Sequence, residues 1–171
     1  RLKRLLNQLR IMGEMIPPSP LSNFPLLGHW VKLSEKNNLI FFSGRVELGQ
    51  GNTTALVMVI ADELDVLPSS IHLETARTDL TPNEGITAGS MSITIGGVAL
   101  RWVASALKHQ ILEIASKQLK TQPSNLYVQS GCIYQKGKKT ELYLSDTFYK
   151  IDFNRKIIDD VHLKSFEERQ K

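Results

Sequence analysis

Apolar residues first recur at helical spacing near the start of the chain. Leu2, Leu5, Leu6, Leu9 and Met12 alternate with Arg1, Lys3, Arg4 and Arg10 and predict a short amphipathic helix over Arg1 to Met15. Packing against the rest of the protein or a partner is the favoured role, ahead of a membrane surface. The prolines of Pro17-Pro18-Ser19-Pro20 should end this helix and give an extended linker. Two strand-like runs follow, His29 to Leu33 and Leu39 to Leu48, joined by the polar turn Ser34-Glu35-Lys36-Asn37-Asn38, which predicts a hairpin. Gly49-Gln50-Gly51 closes the second strand. Thr53 or Thr54 can then cap a helix through Ala55 to Ala61 that is apolar nearly all round and should be buried. The alternation Ile71 to Arg77 reads as a half-buried strand and completes a strand, helix, strand unit. After the long loop Thr78 to Gly89, the stripe Val98, Ala99, Trp102, Val103, Ala106, Leu107, Ile111, Ile114 and Ala115 predicts a long amphipathic helix. Leu126-Tyr127-Val128 and Cys132-Ile133-Tyr134 form a second hairpin across Gln129-Ser130-Gly131, and Glu141 to Leu144 adds a strand. The tail Ile151 to Lys171 has no persistent apolar period and is expected to be an exposed helix or a linker.

This order of elements predicts an α+β fold, a mixed sheet with two main helices behind a short amphipathic N-terminal helix. The expected organisation is a helix and linker over 1–20, a domain over 21–150 and a charged tail over 151–171. With 171 residues and 42% hydrophobic content the chain can bury a real core. A net charge of +4 is too mild to mark a nucleic-acid binder, and no apolar run approaches the roughly 20 residues needed to cross a bilayer. The first residue, Arg1, points to a chain that is processed, trimmed or part of something longer.

Cys132 is the sole cysteine, which excludes an internal disulfide and an all-cysteine zinc or iron–sulfur site within this chain. His29, His72, His109 and His162 lack the spacing of a metal pair and read as ordinary polar residues. Two segments attract attention instead. Gly49-Gln50-Gly51-Asn52 joins a strand to a helix start, where free N–H groups and the helix dipole favour an anion, although a simple tight turn needs the same glycines. Thr87-Ala88-Gly89-Ser90-Met91-Ser92 opens the second helix with small residues, hydroxyls and backbone donors, and Ser90 serving only as an N-cap is its plain alternative. Helix starts that follow neighbouring strands point toward one edge and would make a pocket for a large phosphorylated ligand. The third glycine of a dinucleotide fingerprint is missing, and no phosphate loop is present. The acids Asp62, Glu63, Asp65, Asp79 and Glu84 define no acid–base pair, and no nucleophile elbow supports a hydrolase.

Val46-Glu47-Leu48-Gly49-Gln50-Gly51, Ala61-Asp62-Glu63-Leu64, Asp79-Leu80-Thr81-Pro82, Glu84-Gly85 and Thr87-Ala88-Gly89-Ser90, in that order, resemble the molybdopterin-binding subunit of the xanthine dehydrogenase and aldehyde oxidase family. The resemblance runs from His29 to Asp146 and is nearest to bacterial large subunits of the isoquinoline oxidoreductase or nicotinate dehydrogenase type. It implies a molybdopterin cofactor, as the cytosine dinucleotide, carrying molybdenum on its own dithiolene. The protein then supplies hydrogen bonds rather than metal ligands. Gln50 would bond the pterin or its phosphate, Gly49 and Gly51 would allow close approach, and Thr87, Ala88, Gly89, Ser90, Met91 and Ser92 would wrap the cofactor. The implied reaction is hydroxylation of an N-heterocycle or aldehyde with water as oxygen source and electrons leaving through iron–sulfur clusters. The family's general-base glutamate has no equivalent here, and Glu84 occupies a cofactor-loop position instead. The implied partners are the rest of the large subunit, an iron–sulfur subunit and a small heterocyclic or aldehyde substrate. No nucleic acid and no transmembrane segment are implied; the expected compartment is the cytoplasm, with the periplasm left open. The chain alone is expected to be inactive. The competing expectation is a non-catalytic interaction domain that keeps the fold without the cofactor.

Overall fold

A computed structural model describes residues 17–165 and 167–168. The amphipathic helix expected over Arg1 to Met15 lies outside them. The proline cluster is not extended throughout, because the short helix α1, Ser19–Asn23, begins with Pro20 in its first turn, where the missing N–H costs no hydrogen bond.

The first sheet has three strands in the order β1 (Val31–Leu33), β2 (Leu39–Ser43), β3 (His72–Thr75). β1 and β2 form the expected antiparallel hairpin, with Val31 opposite Phe41 and Leu33 opposite Leu39. β3 lies parallel to β2, pairing Ile40 with His72 and Ser43 with Thr75. A parallel return needs a crossover, and helix α2, Asn52–Leu64, provides it. β2 stops at Ser43 rather than running on to Leu48. At the next residue a Cβ on Gly44 would clash with the Pro82 carbonyl oxygen, so the long loop crosses directly against the strand end. On the neighbouring strand Ala76 enters the left-handed region at φ 57°, so the pairing ends on both sides together.

Residues Ser92–Gly97 form a π-helical segment that runs straight into helix α3, Val98–Gln118. The second sheet is an antiparallel meander of β4 (Leu126–Gln129), β5 (Cys132–Gln135) and β6 (Lys138–Tyr143). Ser130 and Gly131 both have positive φ, 49° and 77°, the signature of a two-residue hairpin turn whose twist matches the strands. β6 begins at Lys138, ahead of the expected Glu141.

The two main helices exchange the burial expected for them. α2, apolar nearly all round, leaves a stripe of Thr54, Met58 and Asp62 in solvent, with Met58 58% exposed. In the first half of α3, Ala99, Leu100, Trp102, Val103, Ala104, Ser105, Ala106 and Leu107 are all buried, so this part is enclosed rather than amphipathic. The chain's own tail encloses it together with α2. Residues 151–165 are not a solvated linker: Ile151 and Ile157 are buried, and α4, Ile157–Asp160, lies against α3. Gln110 bonds the backbone of Asp152 in both directions, His162 N–H donates to Ser105 Oγ at 2.9 Å, and Arg155 pairs with Glu113 at 2.8 Å. The Arg155 guanidinium holds the Glu113 carboxyl below its usual range. The same segment pairs back with the start of the domain, through Leu27 N–H to Arg155 O at 3.0 Å and Gly28 N–H to Phe153 O at 2.7 Å. Glu167 and Glu168 are exposed, as expected.

Candidate functional site

The strand ends and helix starts of the β2, α2, β3 unit bring the two sequence-marked segments to one edge. Val46 N–H donates to Thr87 Oγ1 at 2.9 Å, and Arg45 Nη1 donates to the Ile86 carbonyl at 2.9 Å. Residues 46–51 and 88–90 are exposed, and the Val46 to Thr87 bond sets the two segments side by side.

Each segment is built differently. In the first, Glu47 folds back over the start of α2. Its Oε1 accepts the Gly49 and Gly51 N–H groups at 2.9 and 3.0 Å, and Oε2 accepts the Thr53 N–H at 2.9 Å. These bonds, that from Thr53 foremost, hold the Glu47 carboxyl below its ordinary range. The cap of α2 is therefore neither Thr53 nor Thr54: Gly51 is the N-cap residue at φ 74°, Thr53 lies inside the helix, and Glu47 supplies the anion. Gln50 also serves its own loop, with Oε1 accepting Leu48 N–H at 2.6 Å and Nε2 donating to Val46 O at 3.1 Å. The amides expected to meet a phosphate at this turn are thus already engaged by a side chain of the motif itself.

The second segment has no such acid. Ser90 takes the left-handed conformation at φ 57°, Met91 starts the helix, and no side chain caps it, so the plain N-cap role of Ser90 is not what is found. A helix leaves its first N–H groups without intrahelical acceptors. Here they belong to a π turn, a rare geometry that recurs at functional sites.

A ligand that lies against backbone needs space where side chains would otherwise stand. A Cβ built on Gly49, Gly51 or Gly85 meets nothing within 4 Å, and one on Gly89 meets only the Met91 side chain, at 3.8 Å. At these glycines the main chain of both loops is therefore open to solvent, and a group lying against it would meet no side chain there except that of Met91. Among the described residues no three His, Cys, Asp or Glu side chains converge as a metal site. The histidines behave as ordinary polar residues: His29 Nδ1 accepts Leu26 N–H at 3.2 Å, and the His109 and His162 rings pack with centroids 4.4 Å apart. Among the described residues no helix is long and apolar enough to cross a membrane.

The acids divide by role. Glu63 is buried and accepts from Arg101 Nε at 3.0 Å and Lys164 N–H at 2.9 Å, and Asp65 pairs with Lys108 and Lys164, so this group ties α2 to α3 and the tail. Asp79 pairs with Arg77 at 2.7 Å, which lowers its carboxyl from the usual range. Glu84 points inward with a side chain 0% exposed, far from a position that could exchange protons with a solute. Sequence reasoning passed over four residues of this neighbourhood: Ser43, Arg45, Glu47 as a cap, and Gly96. A cation shortly before a glycine-rich turn and a Gly96-Gly97 pair inside a helical stripe were the available signals.

A family model for the molybdopterin cofactor-binding domain matches residues 12–163, a wider span than the motifs alone mark out. The chain is 27% identical over 168 residues to a nicotinate dehydrogenase subunit of Pseudomonas putida, an alignment that takes in 94% of this chain and 14% of that protein. It is 32% identical over 77 residues to human aldehyde oxidase, covering 45% of this chain and 6% of that one. CO dehydrogenase from Oligotropha carboxidovorans superposes with a TM-score of 0.59 at 25% identity, over 68% of this chain and 15% of the other. The chain thus spans a small part of the length of the relatives it matches. It belongs to the molybdopterin cofactor-binding domain family, and its fold and motifs are those of the xanthine dehydrogenase and aldehyde oxidase group of oxidoreductases.

Proposed function

We propose that this chain is a cofactor-binding portion of a molybdenum hydroxylase, acting with the rest of a large subunit and an iron–sulfur subunit. The observation that carries the reading is the juxtaposition of two exposed, glycine-opened loops at one edge, fastened by the Val46 to Thr87 hydrogen bond. Residues 49–51 would take one side of the cofactor, with Gln50 as the polar contact, and residues 87–92 the other, through backbone N–H groups and the hydroxyls of Ser90 and Ser92. The bound cofactor, as the cytosine dinucleotide, would supply oxygen transfer from water to a heterocycle or aldehyde carbon, with electrons leaving to iron–sulfur clusters. This chain's residues bind and orient. Glu47 and Gln50 set the shape of the first loop, and the π turn presents donors from the second. In this reading the general base comes from the rest of the large subunit, and catalysis would belong to the assembled enzyme.

The test is metal and pterin analysis of the native assembly, followed by Gln50→Ala. An exposed loop side chain contributes little to the core, so this variant should lower molybdenum content while the melting temperature stays unchanged. Unchanged molybdenum would remove Gln50 from the site. A native assembly with neither molybdenum nor pterin would end the reading. It would favour an interaction domain instead, a state that Glu47, seated on the α2 amides, already suits.

A further inference from the structure

Beneath the two loops, three elements meet at one buried ion pair. The side chains of Arg45, two residues past the end of β2, and of Glu84, from the long loop, are 1% and 0% exposed. Glu84 Oε2 accepts the Ser43 hydroxyl at 2.5 Å and the Gly44 N–H at 2.7 Å, so the second loop grips the backbone leading into the first. Arg45 Nη1 donates to Ile86 O at 2.9 Å, so the first loop grips the backbone leading into the second. Val46 N–H to Thr87 Oγ1 adds the next rung outward, toward the exposed edge. The grip is reciprocal and ends where the candidate cofactor residues begin.

At the centre of this ladder Arg45 Nε faces Glu84 Oε1 at 3.5 Å, and both atoms are buried without a hydrogen-bond partner among the described residues. Gly96 closes the floor. A Cβ there would stand 2.8 Å from Glu84 Oε1 and 3.0 Å from Arg45 Nε, so the π turn opening α3 fits over the pair only without a side chain. A buried ion pair is a poor source of net stability, because desolvating two charges offsets their attraction, and apolar or neutral replacement is often tolerated.

We propose that Arg45 and Glu84 are positioning residues that hold the two loops and the π turn in mutual register, so that a ligand spanning both loops meets a cleft already assembled. The proposal rests on the cofactor-binding reading for its ligand, and on the ion pair alone for its geometry. The test is the double variant R45M/E84Q in the native assembly. It removes both charges together, and its glutamine can still accept from Ser43 and Gly44. Folding should survive, with a melting temperature within about 3 °C of wild type. Amide exchange over residues 46–51 and 85–92 should rise about tenfold while that of α3 stays unchanged. Molybdenum and pterin per folded protein should fall about tenfold. Gly96→Ala, which keeps both charges and pushes them apart, should raise exchange in the same residues.

Unchanged loop exchange in R45M/E84Q would overturn the proposal, as would cofactor content that follows only the folded fraction. A double variant that does not fold would make the pair part of the core and overturn it equally. If wild type itself carries no molybdenum or pterin, the cofactor reading fails, and the exchange measurement still decides whether the pair registers the loops.

Discussion

At the start of α2, one glutamate from four residues upstream of the N-cap occupies the Gly49, Gly51 and Thr53 amides; at the start of α3 no side chain among the described residues caps the π turn. Besides the Val46 to Thr87 bond that the two loops share, the first loop carries a net of bonds that span two to six residues, while the second has Thr94 Oγ1 donating to Ser90 O and Met91 N–H to Ala88 O beside the Arg45 bond across forty-one. Along their flanks the order reverses: α2 shows Met58 to solvent, while the first half of α3 is enclosed. Local bonds thus contribute more to the loop on the exposed helix, and the loop on the buried one relies more on tertiary bonds. Damage to the core should therefore reach the second loop first.

The largest effect expected from breaking this contrast is Leu100→Ala. Leu100 is fully buried on α3, and its truncation should cost about 3 kcal/mol in denaturant unfolding. Amide protection should be lost at residues 87–92 before it is lost at residues 49–53.

Glu47→Ala should give a smaller effect of opposite location: faster exchange at Gly49, Gly51 and Thr53, with residues 87–92 unmoved. The same carboxylate predicts a pH dependence. Its folded pKa lies below its unfolded value, so its contribution is fully present above the ordinary glutamate range of about 4.3 and is lost as pH falls through the depressed folded value. Protection of these three amides should fall across that acid window, and the Glu47→Ala variant should lack this step. Met58→Ala, on the exposed flank of α2, should change stability by no more than about 0.5 kcal/mol, as an exposed side chain with few neighbours to lose.

Periodicity and turn chemistry made the β1–β2 hairpin, the crossover through α2 and the Ser130-Gly131 hairpin legible in the sequence, because each depends on residues close to one another in the chain. The burial of the helices was not legible. Apolar positions state how much of a helix can be covered, but the number of elements available to cover it is set by the whole fold. The tail shows this most clearly: Ile151, Phe153, Ile157, Val161 and Leu163 pack against the core at no persistent helical spacing, and Arg155 and Asp160 pair with each other and with Glu113 and Gln110 of α3. Of the candidate site, the two loops were readable from the placement of glycines and hydroxyls, and their meeting at one edge from helix starts that follow neighbouring strands. The Arg45 and Glu84 pair was not, since partners so far apart in the chain leave no local pattern. The occupation of the α2 amides by Glu47 was missed for another reason. Threonines at the helix start drew the expected cap to Thr53 or Thr54, although the acid on the far side of the glycine turn could fold back to the same amides.

The pairing of residues 25–28 with residues 153–157 also governs how the domain forms in time. Ile157 N–H meets Pro25 O at 2.9 Å, and Leu26 bridges to Lys156, so elements near one end of the domain are completed by a segment near the other. Contacts of such long sequence separation close late, after most of the chain's entropy has been given up. On the ribosome, Leu27 and Trp30 will have been made long before the segment that covers their neighbourhood has emerged. That interval, with apolar surface uncovered, is when this domain is most exposed to aggregation.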